Sequence, residues 1–153
     1  MSVLEFSVPP GPLVSQPVPA PAAGADFTIT TPDSLAQGIW QIVSIRARLV
    51  TSATVANRFV ALAVKDEVAN EVYRVGFDTA ITAGLTVIVT FTPAVSTVVG
   101  GVTNVKTLTF PVPAGPYPSR TAFSSVTTNI DTGDQWSQVS VSYQRLTPNY
   151  FQE

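Results

Sequence analysis

Asp131-Thr132-Gly133 spells the short motif of the aspartic proteases. That chemistry needs two carboxylates sharing one proton, each on a loop braced by apolar strands. Here Gly133 is followed by Asp134 rather than by a small residue. An Asx-type turn between two strands accounts for Asn129, Asp131 and Gly133 more simply, because such side chains bond backbone groups close by. Read as calcium ligands, Asn129, Asp131 and Asp134 supply two carboxylates and an amide, short of the roughly six or more oxygens the ion takes. Asp66, Glu67 and Glu71 form a second acidic group with the spacing of a solvated hairpin corner. The chain has no histidine and no cysteine. Ser-His-Asp and Cys-His catalysis, imidazole bases and most zinc sites therefore fall away. No catalytic, metal-ligating or cofactor-binding residue is assigned, no cofactor is expected, and the chain reads as a non-enzyme.

Arginine offers a different kind of chemistry. Arg46 and Arg48 stand two apart, which places both on one face of an extended strand. Arg58 and Arg74 are expected on neighbouring strands, so that the four would form a basic stripe meeting a partner's carboxylates. Ordinary solvation of a surface is the plainer account. Arginine suits bidentate pairing with carboxylates better than lysine does. Trp40 and Trp136 each flank the start of a strand pattern. Core packing explains them, and a carbohydrate platform, which would make the chain a sugar-binding β-sandwich, is the alternative.

The elements that position these residues read as strands and turns. Valine, threonine and isoleucine make up about a third of the chain, a composition suited to pleated surfaces. Phe27–Thr31 is a short strand stopped at Pro32. From Ile39 to Thr51, Val43, Ile45, Ala47 and Leu49 share one face, with Ser44, Arg46 and Arg48 on the other. Arg58–Val64 is apolar on both faces and reads as a central or interface-buried strand. Val68–Phe77 follows a tight corner. Leu85, Val87, Val89 and Phe91 alternate with threonines and Ile88. A Gly100-Gly101 turn leads to Lys106–Phe110, and the proline-rich stretch 111–120 reads as a loop. Ala122–Thr127 and a last strand with Val139, Val141 and Tyr143 inward complete the set. The expected fold is all-β: a β-sandwich, a jelly roll of about eight strands, spanning 26–153.

Residues 1–25 read as a separate, extended proline-rich arm. Pro9, Pro10, Pro12, Pro17, Pro19 and Pro21 lie in it, with Glu5 as its only charge. Proline fixes φ and removes a donor, which favours polyproline II or extended chain. Val3, Leu4, Phe6, Val8, Leu13, Val14 and Val18 make the arm apolar. An apolar, pre-extended arm suits lying on a neighbour. The start of the chain lacks the basic region and continuous apolar stretch of a signal peptide, and no apolar run is long enough to span a membrane. Net charge is −2, without the basic footprint of a nucleic-acid binder. Charged residues are only 12%, which leaves a surface mild enough for assembly. That, with the two-faced strand Arg58–Val64, suggests a homotrimer.

Gly38-Ile39-Trp40-Gln41-Ile42-Val43-Ser44-Ile45-Arg46, the run Thr51–Val60 with its Ala56-Asn57-Arg58 hairpin, and Thr128–Ser137 with its closing Gly133-Asp134-Gln135-Trp136-Ser137 turn occur together. The combination resembles a family of small β-rich structural proteins of tailed bacteriophages, over roughly residues 26 to 146. The resemblance implies a particle component. It leads to a virion structural protein, specifically a capsid decoration (cement) protein on the outside of a phage head. Such a protein would be made in the bacterial host cytoplasm and bind the major capsid protein, with no nucleic-acid or membrane partner. A tail or head-fibre adhesion module is the alternative. The partner contacts expected are Val3, Leu4, Phe6, Val8, Pro9, Pro10, Leu13, Val14 and Val18 on the arm, with Arg46 and Arg48 on the sandwich.

Overall fold

A computed structural model describes residues 10–33, 39–93 and 98–146. The alternating β-branched runs become strands: β1 (Pro10–Val18), β2 (Thr28–Thr30), β3 (Ile39–Val50), β4 (Phe59–Lys65), β5 (Glu71–Gly76), β6 (Thr86–Thr92), β7 (Val98–Val102), β8 (Val105–Pro111), β9 (Tyr117–Pro118), β10 (Ala122–Thr128) and β11 (Gln135–Leu146). They form two sheets. The larger has seven strands in the order β1-β11-β3-β6-β8-β7, with β9 pairing β3; the smaller has four in the order β2-β10-β4-β5. All pairings are antiparallel except β6 with β8. The fold is the expected all-β sandwich. An eight-stranded jelly roll is not established by this order, with its seven-against-four division and one parallel pair.

Eight of these strands coincide with the sequence patterns, and three do not. β1 lies inside the proline-rich arm, where it pairs with β11 from Pro10↔Leu146 to Val18↔Val139. Proline lacks a donor, so an edge strand, with one side of its backbone unpaired, is where a sheet tolerates it. β7 includes Gly100-Gly101, which were expected to turn; the turn falls instead at Thr103-Asn104, with Asn104 in the left-handed region at φ 66°. β9 interrupts the expected loop.

The core fills the space between the sheets. Val60, Leu62, Val64 and Phe123 of the smaller sheet meet Ile45, Leu49, Val87, Val89, Phe91, Phe110, Trp136 and Val141 of the larger. Leu62, Val87, Val89 and Phe91 are fully buried. Phe91 stacks on Phe110 with centroids 5.1 Å apart. Trp40 meets Tyr143 edge-on at 4.9 Å. Both tryptophans are core residues, as their type most often requires.

Two bulges set which side chains reach this core. In β3 the register slips so that Ile42 faces Tyr143 and Ser44 faces Ser142, leaving Val43 as the extra residue. Val43 is consequently 37% exposed rather than inward, while Ile42 takes its place. A strict period of two cannot anticipate an inserted residue. The second bulge lies between Ser137 and Ser140 of β11, with Gln138 at φ 49°. It lets Trp136 and Val139, three positions apart, face the same side.

Candidate functional site

Arg58 is fully buried and ion-paired with Asp134, which is fully buried as well. An isolated charge in such a place would be costly, so each partner must be saturated with hydrogen bonds. Arg58 Nε and Nη2 donate to the two carboxylate oxygens of Asp134 at 2.8 and 3.0 Å. Nη1 donates to the carbonyls of Thr54 and Ala56 at 3.0 and 2.9 Å. The remaining Nη2 hydrogen goes to the Ser52 hydroxyl at 3.1 Å. All five guanidinium donors are thereby used. Asp134 also accepts from the backbone N–H groups of Ser52 and Asp131, each at 2.8 Å.

Asp131 completes the cluster from the turn. Its carboxylate accepts from the Ser52 hydroxyl at 2.8 Å and from the Gly133 N–H at 3.0 Å. These two bonds, the Ser52 hydroxyl first, hold its carboxyl below the usual range. For Asp134, burial pushes the carboxyl up, but the bonds from Arg58 and from the backbone of Asp131 and Ser52 outweigh it, and the net direction is down. Both acids are held ionised by fixed donors. A shared-proton pair needs the opposite, one carboxyl raised. Asn129, the third member of the calcium reading, donates instead to the Asn57 carbonyl at 2.9 Å. The Asp-Thr-Gly run is the expected Asx turn, bonded into an ion-paired lock.

The lock also fastens the end of the arm. Gly24 N–H donates to the Asp134 carbonyl at 2.8 Å, and Gln135 donates to the Pro21 carbonyl at 2.9 Å. Gly24 sits at φ 73°, and a Cβ there would lie 2.9 Å from Thr132 Cα, so the close approach requires glycine. Asp26 then accepts from the Ser125 and Thr127 hydroxyls at 2.8 and 2.6 Å, seating Phe27 edge-on against Trp136 at 5.1 Å.

The expected basic stripe is reduced to two residues. Arg58 is inside the lock, not on the surface. Arg74 is on β5 of the other sheet and pairs with Glu71 at 2.6 Å. Arg46 and Arg48 do share the outer face of β3, and neither joins an ion pair among the described residues. They border a shallow recess of about 360 Å³ with Pro17, Ile88, Gln138 and Ser140. Gln138, which stands in the β11 bulge, lines this recess. Of the arm residues, Pro10, Leu13, Val14 and Val18 lie on β1. Leu13 and Val14 are exposed, and Val18 packs against the core. Val3, Leu4, Phe6, Val8 and Pro9 lie outside the described residues.

Sequence reasoning missed the Arg58–Asp134 pair. The available signal was an arginine heading an otherwise apolar strand, which invites a buried partner. The two motif halves, Ala56-Asn57-Arg58 and Gly133-Asp134-Gln135-Trp136, meet in space through this pair.

No protein-family model matches the chain, and no curated protein matches it in sequence. Among solved structures it is similar to a chain of the T13 particle of infectious bursal disease virus, with TM-score 0.36 and 13% identity over 86% of this chain and 31% of that one. A structure of the Gt strain of that virus gives TM-score 0.30 and 13% identity, over 90% of this chain and 41% of the other. The VP2 subviral particle of the same virus gives TM-score 0.26 at 13% identity, over 90% and 42%. The chain spans less than half the length of each of these viral proteins.

Proposed function

We propose that the chain is a virion structural protein, a homotrimeric capsid decoration (cement) protein that binds the outside of a phage head and staples neighbouring major capsid proteins. The supporting observation is the outer face of the seven-stranded sheet. None of its strands contains aspartate or glutamate, although the chain has a net charge of −2. Arg46 and Arg48 lie in the middle of that face, beside Ser44, Thr90 and Ser140, with Leu13 exposed at the β1 edge. The face offers cations, hydroxyls and apolar area without a carboxylate of its own. It suits a shell surface that presents carboxylates.

In this reading the arm residues Val3, Leu4, Phe6, Val8 and Pro9 extend the same contact beyond β1. Affinity comes from buried apolar area at about 25 cal/mol per Å², less the cost of ordering and association. Rim arginines act mainly on association rate and salt dependence. The function is attachment, with no reaction and no cofactor.

The test is binding to phage heads stripped of the protein. R46E/R48E and a chain lacking residues 1–9 are compared with the full chain. Occupancy is expected to fall at least tenfold for each variant, with the thermal unfolding of the free chain unchanged. Undiminished occupancy for both would overturn the assignment of this face. Copy number decides the role: copies comparable to the shell subunits fit decoration, whereas a handful per particle would make the chain a tail or head-fibre adhesion module.

A further inference from the structure

A strand at the edge of a sheet leaves a row of N–H and C=O groups unpaired, and proteins normally blunt such edges. Besides β9, which has only two residues, four strands lie at the sheet edges, and three of them are blunted. β1 carries Pro10, Pro12 and Pro17, β2 has only three residues, and β5 carries Glu71 and Arg74. β7 has only a bend at Gly101, at φ 123°, one residue past the centre of the strand. Its sequence, Val98-Val99-Gly100-Gly101-Val102, contains neither proline nor charge, and β8 is its only strand neighbour among the described residues.

Its side chains add an apolar surface to that bare backbone. Val98 is 55%, Val99 48% and Val102 75% exposed, with Val105 beside them on β8 also exposed. Val98 and Val102 sit on the outer face, opposite Thr109 and Val105, while Val99 lies opposite Leu108 on the core side. Both faces of this edge are therefore apolar and open. Contiguous exposed valines around an unpaired edge mark a contact with another protein strand.

We propose that β7 pairs with β7 of a second copy, antiparallel about a two-fold axis at Gly100, giving one sheet continuous across two chains. The other three edges cannot supply the incoming strand, for the reasons just given, so the strand of a second copy that fits β7 is β7 itself. Self-pairing about Gly100 sets Val98 of one copy opposite Val102 of the other. No charged residue occurs from Val98 to Val105, so no like charges are brought together. The space above Gly100 is open: a Cβ there would meet nothing within 4 Å. A contact that uses the same patch on both chains closes on itself and does not propagate. It is a two-fold contact and does not by itself build the three-fold assembly of the proposed decoration trimer.

The absence of cysteine makes a clean test possible. Gly100→Cys places one thiol at the axis, where directly opposed residues of an antiparallel pair stand within disulfide range. Gly101 is unsuitable, since a Cβ there would collide with the Val105 carbonyl. Under mild oxidation of the whole chain, covalent pairs of G100C are expected at least ten times faster than those of V72C, a control whose valine is 62% exposed on β5. Adding Val99→Lys to G100C should remove that advantage. Equal rates for the two single-cysteine chains, or no effect of the lysine, would overturn the proposal. Sedimentation of the unsubstituted chain reads the same contact independently. Association should rise between about 1 μM and 1 mM, as a small interface implies, and V102K should abolish the rise. A concentration-independent result overturns it. Neither measurement involves phage particles, and the cross-linking rate and the V102K comparison read β7 alone, so this contact and the decoration reading are judged separately.

Discussion

Asp134→Ala leaves Arg58 charged, fully buried and without the carboxylate that takes two of its five donors. It also removes the acceptor for the N–H groups of Ser52 and Asp131. Breaking one partner of a buried pair typically costs about 3–5 kcal/mol. For a domain of this size each kcal/mol lowers Tm by roughly 2–4 °C, so a fall of about 6–20 °C is expected. The cost is a large share of a typical total stability of about 5–15 kcal/mol. The usual remedy, exchanging both charges for apolar groups, often restores stability or exceeds it. Here it should not, because Arg58 and Asp134 together satisfy four backbone groups: the Thr54 and Ala56 carbonyls and the Ser52 and Asp131 N–H groups. R58M/D134L should therefore stay below the wild type by about 1–3 kcal/mol, yet lose less than the two single variants summed. R58K should fall between wild type and D134A, since an ammonium cannot form the two-pronged contact. Urea unfolding gives each midpoint and slope. A loss under about 0.5 kcal/mol for D134A, or strict additivity in the double variant, would refute the account, because surface substitutions fall in that range.

The same pair sets the acid limit. Asp134 and Asp131 have folded-state carboxyls lowered from their unfolded values, so their contribution is complete above about pH 4 and is lost as pH falls through the lowered folded values. Wild-type Tm should drop below pH 4 more steeply than that of D134N, and parallel curves would contradict this. Gly24→Ala should cost about 1–3 kcal/mol in the same urea assay, through the left-handed backbone at φ 73° and the contact with Thr132; an unchanged midpoint would show that the turn relaxes freely. Removing residues 1–9 should leave Tm unchanged, whereas removing 1–21 deletes β1, uncovers β11 and should lower Tm measurably by circular dichroism. Equal Tm values for the two truncations would mean that β1 adds no stability to the sandwich.

How much of this was legible depends on the range of the interaction. β6 was readable because Val87, Val89 and Phe91 alternate with half-buried threonines on one uninterrupted ladder. Val43 was misread because a bulge in the same kind of strand changes parity, and bulges leave no mark in the hydrophobic pattern. β1 was read as polyproline because three prolines weaken any central strand, while the edge position that excuses them is a property of the sheet. The outward placing of Arg46 and Arg48 followed from local alternation. Arg58 did not, since its partner stands 76 residues away and no local period links the two.

That separation bears on biosynthesis. β11 lies between β1 and β3 in the sheet, and the turn that leads into it carries Asp134. On the ribosome, Arg58 emerges 76 residues before its carboxylate, a wait of roughly 4–15 s at ordinary elongation rates. Throughout that interval β1 has no strand to join, β3 lacks one neighbour, and the site for Trp136 is empty. Until Asp134 arrives, the seat of Arg58 lacks its carboxylate, and burying the guanidinium there would be costly. β1 can therefore join the larger sheet only once β11 has left the exit tunnel.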